Sequence, residues 1–152
     1  MTTPFDPDCR ACPRLADHLD TVAARHSDYH CRPVAPFGVE DPGLLVVGLA
    51  PGLHGANATG RPFTGDHAGI MLYDTLYRFG FGSAPESRSA DDCLQLHDCR
   101  ITNAVKCLPP ANKPTGAEVR TCRPFLAAEL AGLRPGAVVL ALGRVAHETT
   151  IA

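Results

Sequence analysis

At 152 residues, with 45 % hydrophobic and 20 % charged residues, the chain has the length and make-up of one globular domain. No run approaches the roughly eighteen apolar residues of a membrane span, and the opening MTTPFDPDCRACP lacks the basic-then-apolar order of a secretory signal. The formal charge of −2 excludes a global pull toward nucleic acid, while seven cysteines, an odd number, argue for a reducing compartment, the cytoplasm, where they serve as thiols or metal ligands.

Cys9 and Cys12 open the chain as C-R-A-C, and Pro13 stands where a helix tolerates proline, at its first position. Leu15, Leu19, Val22 and Ala23 then recur at helical spacing, predicting an amphipathic helix that ends near 26–33. Residues 43–49 are short, apolar and bounded by Pro42-Gly43 and Pro51-Gly52, which predicts a buried strand. The stretch 48–66, GLAPGLHGANATGRPFTGD, follows as a long loop. Loops of that length are uncommon in compact domains and usually functional.

A helix is expected over 66–81, carrying Ile70, Tyr73, Leu76 and Tyr77 and stopped by Gly80. Residues 82–98 are polar and loop-like, 99–107 form a second strand, and 108–114 (LPPANKP) are irregular again. Thr115 and Glu118 make the capping box of a helix starting at about 116. Pro124 is expected to break or restart that helix, with Leu126, Leu130 and Leu133 continuing its apolar face. Residues 137–143 predict a third buried strand, and 144–152 the first turns of another helix.

Strands alternating with helices predict an α/β fold, a parallel sheet covered on both faces, in a single domain over 1–152 without internal repeats. Ligands of such sheets sit beyond the strands' carboxyl ends, where the loops 48–66 and 106–114 begin, so the two can share one pocket. A last helix of about nine residues with no strand after it is an odd finish for such a sheet, and the chain reads as a fragment, incomplete at its C-terminal end.

Four cysteines lie beside turns or breaks: the pair Cys9 and Cys12, Cys107 at a strand end, and Cys122 just before Pro124. Such a set suits structural zinc or an iron–sulfur cluster, and the fourteen residues between the latter two are unlike a zinc knuckle. The competing reading is buried, unreactive thiols. Cys31, Cys93 and Cys99 lack comparable pairing, and His26 and His30 at i, i+4 suit a solvated helix end better than a metal site. The loop 48–66 contains no lysine and is not a P-loop, which disfavours a mononucleotide-binding protein. It does carry His54, Asn57, Arg61, Phe63 and Asp66.

GLAPGLHGANATGRPFTGD, ITNAVKCLPPANKP and the four cysteines together resemble the uracil-DNA glycosylase superfamily, above all its iron–sulfur branch, family 5. The resemblance runs from Cys9 to about Gly143. It implies a three-layer α/β/α fold with a central parallel sheet and a structural [4Fe–4S] cluster on Cys9, Cys12, Cys107 and Cys122. It implies a monofunctional DNA glycosylase, acting as a monomer in the cytoplasm, associated with the nucleoid, on double-stranded DNA. Such an enzyme releases uracil, and hypoxanthine or other deaminated bases, and leaves an abasic site.

On that footing Phe63 stacks on the flipped base and Asn103 reads its edge, with Leu49, Ala50, Gly52 and His54 as further substrate contacts. Asp66 is the candidate catalytic carboxylate, although an N-cap of the helix starting at 67 uses the same place. Leu49 stands where other branches carry a polar residue and can neither orient water nor stabilise charge. Ala58 stands where the family usually has arginine, and a His-Pro-Ser type motif falls beyond residue 152. The alternative from another class is a cluster-bearing nucleic-acid-binding module without catalysis.

Overall fold

A computed structural model describes residues 3–152. Its sheet has four strands: β1 (Phe37–Gly38), β2 (Leu44–Gly48), β3 (Cys99–Asn103) and β4 (Val138–Ala141), in the order β1-β3-β2-β4. β2, β3 and β4 run parallel, while β1 pairs antiparallel with the outer side of β3. The parallel core is as expected. The two-residue β1 left no periodic signal, because two residues cannot show an alternation.

β2 is the centre. Leu45, Val46 and Val47 are each fully buried, and their alternation splits them between two cores. Val46 packs with Ile101 of β3 and with Tyr73 and Leu76 of helix α3 (Ala68–Arg78). Leu45 and Val47 pack with Leu126 of α4 (Gly116–Ala131) and Ala146 of α5 (Arg144–Ile151). Helices therefore cover both faces, giving three layers. Helix α1 (Pro13–Arg25) begins with Pro13 and buries Leu19 and Val22 against Leu108, at the strand-end loop after β3.

Several expectations need correcting. The third strand is not buried: Val138 is 60 % and Leu140 44 % exposed, because β4 is the sheet's edge and only Val139 and Ala141 reach the core. Pro124 does not break α4, which runs unbroken through it and keeps Cys122, Phe125 and Leu126 on its buried side. The apolar side of α3 is narrower than its sequence implies, since Ile70 and Tyr77 are exposed while Gly69, Tyr73 and Leu76 are buried. β3 stops at Asn103, where the chain bends: Ala104 N–H reaches Gly48 O and Val105 N–H reaches Leu49 O, each at 2.9 Å.

The glycine-rich loop is not loose either. It contains a short helix, α2 (Ala56–Thr59), closed by Gly60 in the left-handed region. Asn57, Arg61 and Thr64 are buried within it. Arg61 donates to Asp92 Oδ1 at 2.7 Å, Ser87 Oγ at 3.0 Å and Ala90 O at 3.0 Å, and lies over the Phe37 ring. This arginine pins the loop to the segment 83–95 rather than facing a ligand. Burial alone would raise the Asp92 carboxyl, but the Arg88 N–H, the Arg61 guanidinium and the Leu94 N–H outweigh it and hold it at about 2.

Candidate active site

β2 and β3 end side by side, with Gly48 opposite Asn103. A methyl group on Gly48 would lie 2.5 Å from Asn103 Oδ1 and 2.5 Å from Phe63 Cζ. Only a residue without a Cβ lets the amide and the ring approach the same point. Phe63 itself sits at φ 55, a region that L side chains avoid at a cost of about 1–3 kcal/mol. Its surroundings hold it there. Gly69 of α3 has no side chain to strike the Phe63 carbonyl, and the Tyr73 hydroxyl donates to Pro62 O at 2.6 Å.

Leu49, Ala50, Gly52, Phe63, Asp66 and Asn103 line one cleft of about 220 Å³, beyond the carboxyl ends of β2 and β3. Asn112 lines it as well, from the second loop. A larger hollow of about 530 Å³ adjoins it, sharing Phe63 and Asp66 and running along α3 to residues 85–88. Asn103 is 3 % exposed, and its Oδ1 is buried without a hydrogen-bond partner among the described residues. An orphaned buried acceptor costs roughly 1–3 kcal/mol, which a ligand donor could recover. The N–H groups of Ala50 and Gly52 likewise donate to no backbone carbonyl among the described residues.

Helix α3 starts at Ala68 with His67 as its N-cap, so Asp66 stands one position before the cap rather than at it, while lining the cleft. Its Oδ1 accepts from Ala68 N–H at 3.2 Å, at the first residue of α3. Its Oδ2 lies over the loop glycines, 2.5 Å from where a Gly52 Cβ would stand and closer still to that of Gly55. His54 is the site candidate the fold sets apart. It does not line the cleft; its Nδ1 shares a 2.7 Å hydrogen bond with the Tyr29 hydroxyl, and its ring meets His26 edge-on. His26 stacks on Tyr29, whereas His30 Nε2 bonds Pro33 O, so the two histidines do not converge.

The four singled-out thiols do converge. Cys9, Cys12, Cys107 and Cys122 line one small cavity, walled by Leu15, Leu19, Val105 and Phe125. Cys12 precedes α1, Cys107 follows the bend after β3, and Cys122 lies on α4. None is in a disulfide, and among the described residues no three His, Cys, Asp or Glu side chains group as ligands of a metal ion. Burial, reinforced by the neighbouring thiols, pushes Cys107 up to about 12. Cys122 is pushed up to about 11 by burial, against the Lys106 N–H that bonds its sulfur. Cys99 lies apart, in the core beside α3.

Two polar residues, Asn112 in the cleft and Lys106 beside the thiols, carry no local sequence signal. Asn112 follows a proline pair in a loop whose Ala111 and Asn112 both adopt positive φ. Lys106, 1 % exposed, hides inside what reads as a strand.

The sequence profile described as the Uracil DNA glycosylase superfamily matches residues 35–151. The chain belongs to the uracil DNA glycosylase superfamily. Among relatives, it is 46 % identical to the type-5 uracil-DNA glycosylase of Thermus thermophilus, over 95 % of this chain and 68 % of that protein. It is 51 % identical to the type-5 uracil-DNA glycosylase of Mycobacterium leprae, over 80 % of this chain and 56 % of that protein. The type-4 uracil-DNA glycosylase of Archaeoglobus fulgidus matches at 34 %, over 85 % of this chain and 59 % of its own length. The chain thus spans between half and about two thirds of the length of these superfamily members. No helix among the described residues is long and apolar enough to cross a membrane.

Proposed function

We propose that this protein is a monofunctional DNA repair glycosylase of the type-5 kind, hydrolysing the N-glycosidic bond of uracil in double-stranded DNA and leaving an abasic site. The observation that carries the reading is the unpartnered Asn103 Oδ1 beside the Phe63 ring over Gly48. A base inside a duplex is out of reach, so the nucleotide must swing out into the cleft. There Phe63 stacks on it, a contact worth about 1–3 kcal/mol.

Asn103 Oδ1 accepts from uracil N3–H, and the amide NH₂ donates to O4. Cytosine presents an acceptor at N3 and a donor at its exocyclic amine, so it faces like against like and leaves buried groups unpaired. As the bond breaks, negative charge grows on the departing base and positive charge on the sugar. The free N–H groups of Ala50 and Gly52 suit the first, as preorganised donors that need not reorganise. The Asp66 carboxylate suits the second, and orients the attacking water. Hypoxanthine is a further substrate, with the adjoining hollow giving room beyond the pyrimidine site.

The donor set around the thiol cavity fits a [4Fe–4S] cluster held by Cys9, Cys12, Cys107 and Cys122. Ligands of one zinc ion sit about 2.3 Å from it and so crowd together, whereas these four ring a cavity without a tight group of three. The four thiolates would hold it, and a cluster so held would brace the start of α1, the bend after β3 and α4 against one another. The enzyme is expected to work as a monomer in the reducing cytoplasm, on nucleoid DNA.

The deciding experiment incubates the purified protein with a uracil-containing duplex and measures free base. Release of uracil that is lost in Asp66→Ala supports both the function and the carboxylate. Salt-dependent duplex binding without release would instead favour a non-catalytic module. Full activity of Asp66→Ala would remove that residue from the mechanism. Iron content and visible absorbance of anaerobically purified protein separate a cluster from zinc.

A further inference from the structure

Beneath the cleft lies a charge that the mechanism above does not use. Lys106 is the most deeply buried ionic side chain among the described residues. An ammonium has three donors and no acceptor, and in such a place each donor left over is costly. All three are engaged: Nζ donates to Thr102 Oγ1 at 2.5 Å, to Asn103 O at 2.7 Å and to Glu129 Oε2 at 2.7 Å. Glu129, on α4, also accepts from Thr102 Oγ1 at 3.0 Å and lies 3.7 Å from Arg100 Nε.

Swapping a buried ion pair for apolar groups of similar volume is often neutral or stabilising, so stability alone is a poor reason for a lysine here. What the pair does is local. It grips the carbonyl of Asn103, the last residue of β3, where the regular ladder ends. On the other side of that peptide, Ala104 N–H is held by Gly48 O. The residue whose side chain faces the cleft is thus clamped through its backbone from both directions.

We propose that Lys106, neutralised by Glu129, is a positioning residue for base selection: it fixes the Asn103 backbone so that the unpartnered Oδ1 stays aimed into the cleft. This rests on Asn103 being the amide that reads the base. An amide rejects cytosine only if it cannot shift away from the wrong edge; a loosened one tolerates it. Lys106 touches no substrate.

The test uses two variants of the purified protein. Lys106→Met/Glu129→Gln removes both charges together at similar volume, and Thr102→Val removes one acceptor of the ammonium. In both, iron content and melting temperature stay near the parent's. The kcat for uracil release falls, on the order of tenfold in the double variant and less in Thr102→Val, because small misplacement of a reading group is costly. KM for the duplex is unchanged, and the preference for uracil over cytosine narrows.

Amide hydrogen exchange gives a readout independent of catalysis: Ala104 and Val105 exchange faster while Val46 and Val47 in β2 stay protected. A double variant with parental kcat, base preference and exchange overturns the proposal. So does exchange that rises equally throughout β2, which marks a merely structural role. If the double variant does not fold, parental behaviour of Thr102→Val overturns it. If the parent releases no uracil, the function reading fails, and the exchange pattern alone judges the clamp.

Discussion

Lys106 lines the thiol cavity and bonds the backbone of Asn103, which lines the cleft, and the two hollows treat polar atoms in opposite ways. In the cleft an amide oxygen is buried without a partner among the described residues, a phenylalanine holds a disfavoured φ, and a carboxylate lies over bare glycines. In the cavity four thiols line one small, largely apolar space, with burial holding Cys107 and Cys122 in their neutral form. The cleft stores unmet interactions that a passing ligand can complete. The cavity stores ligands that a resident partner would ionise and join. Function asks the first to stay open and the second to stay closed.

That contrast can be broken deliberately. The largest effect is expected at Asp66→Ala: base release drops on the order of 10²–10⁴-fold, while the lost bond to Ala68 N–H costs only about 1 kcal/mol in urea denaturation. Cys107→Ser should show the reverse, with iron content and melting temperature falling together and activity following the unfolded fraction. Asn103→Ala should slow uracil release roughly 10- to 100-fold, as expected for losing about 1–3 kcal/mol of hydrogen bonding, without altering iron content. A Cys107→Ser protein with parental iron and stability would erase the distinction between the two cavities.

Gly48→Ala sharpens it. The methyl group has no room between Asn103 Oδ1 and the Phe63 ring, so overpacking should cost about 1–3 kcal/mol and close the cleft to a base. Parental kcat in that variant would mean ring and amide do not read a common ligand. The smallest effect concerns the loop's anchor. Asp92 is held at about 2, below its ordinary value of 3.8, so its contribution is present above that ordinary value and lost as pH falls toward 2. The whole contribution is about 2 kcal/mol, of which about 1 is lost by pH 3. Asp92→Asn should remove that acid-side slope in denaturation measured between pH 5 and 3, and an unchanged slope would assign it elsewhere.

Local chemistry made the frame legible. The run 43–49 is apolar and 99–107 rich in β-branched residues, enough to predict strands, although the second ends early at Asn103. T-x-x-E predicts the start of α4, and the two loops at strand ends predict a shared cleft, which Phe63 and Asn112 line from either loop. The motif resemblance pointed to the superfamily that the profile match shows. Errors came where the environment outranked the local pattern. Val138 and Leu140 look like core residues, but a strand's burial depends on which neighbours the sheet provides. Pro124 looks like a helix breaker, but packing on both sides of it carries α4 through.

What the amino-acid order determined by itself is periodicity, capping and the kinds of chemistry available, because these depend on residues a few positions apart. Tertiary structure decided which groups meet. It turned Arg61 inward to a carboxylate thirty-one positions away, moved His54 out to Tyr29, and set Lys106 beneath Asn103 against Glu129 on another layer. Burial and partnership are properties of neighbours in space, and no spacing along the chain encodes them.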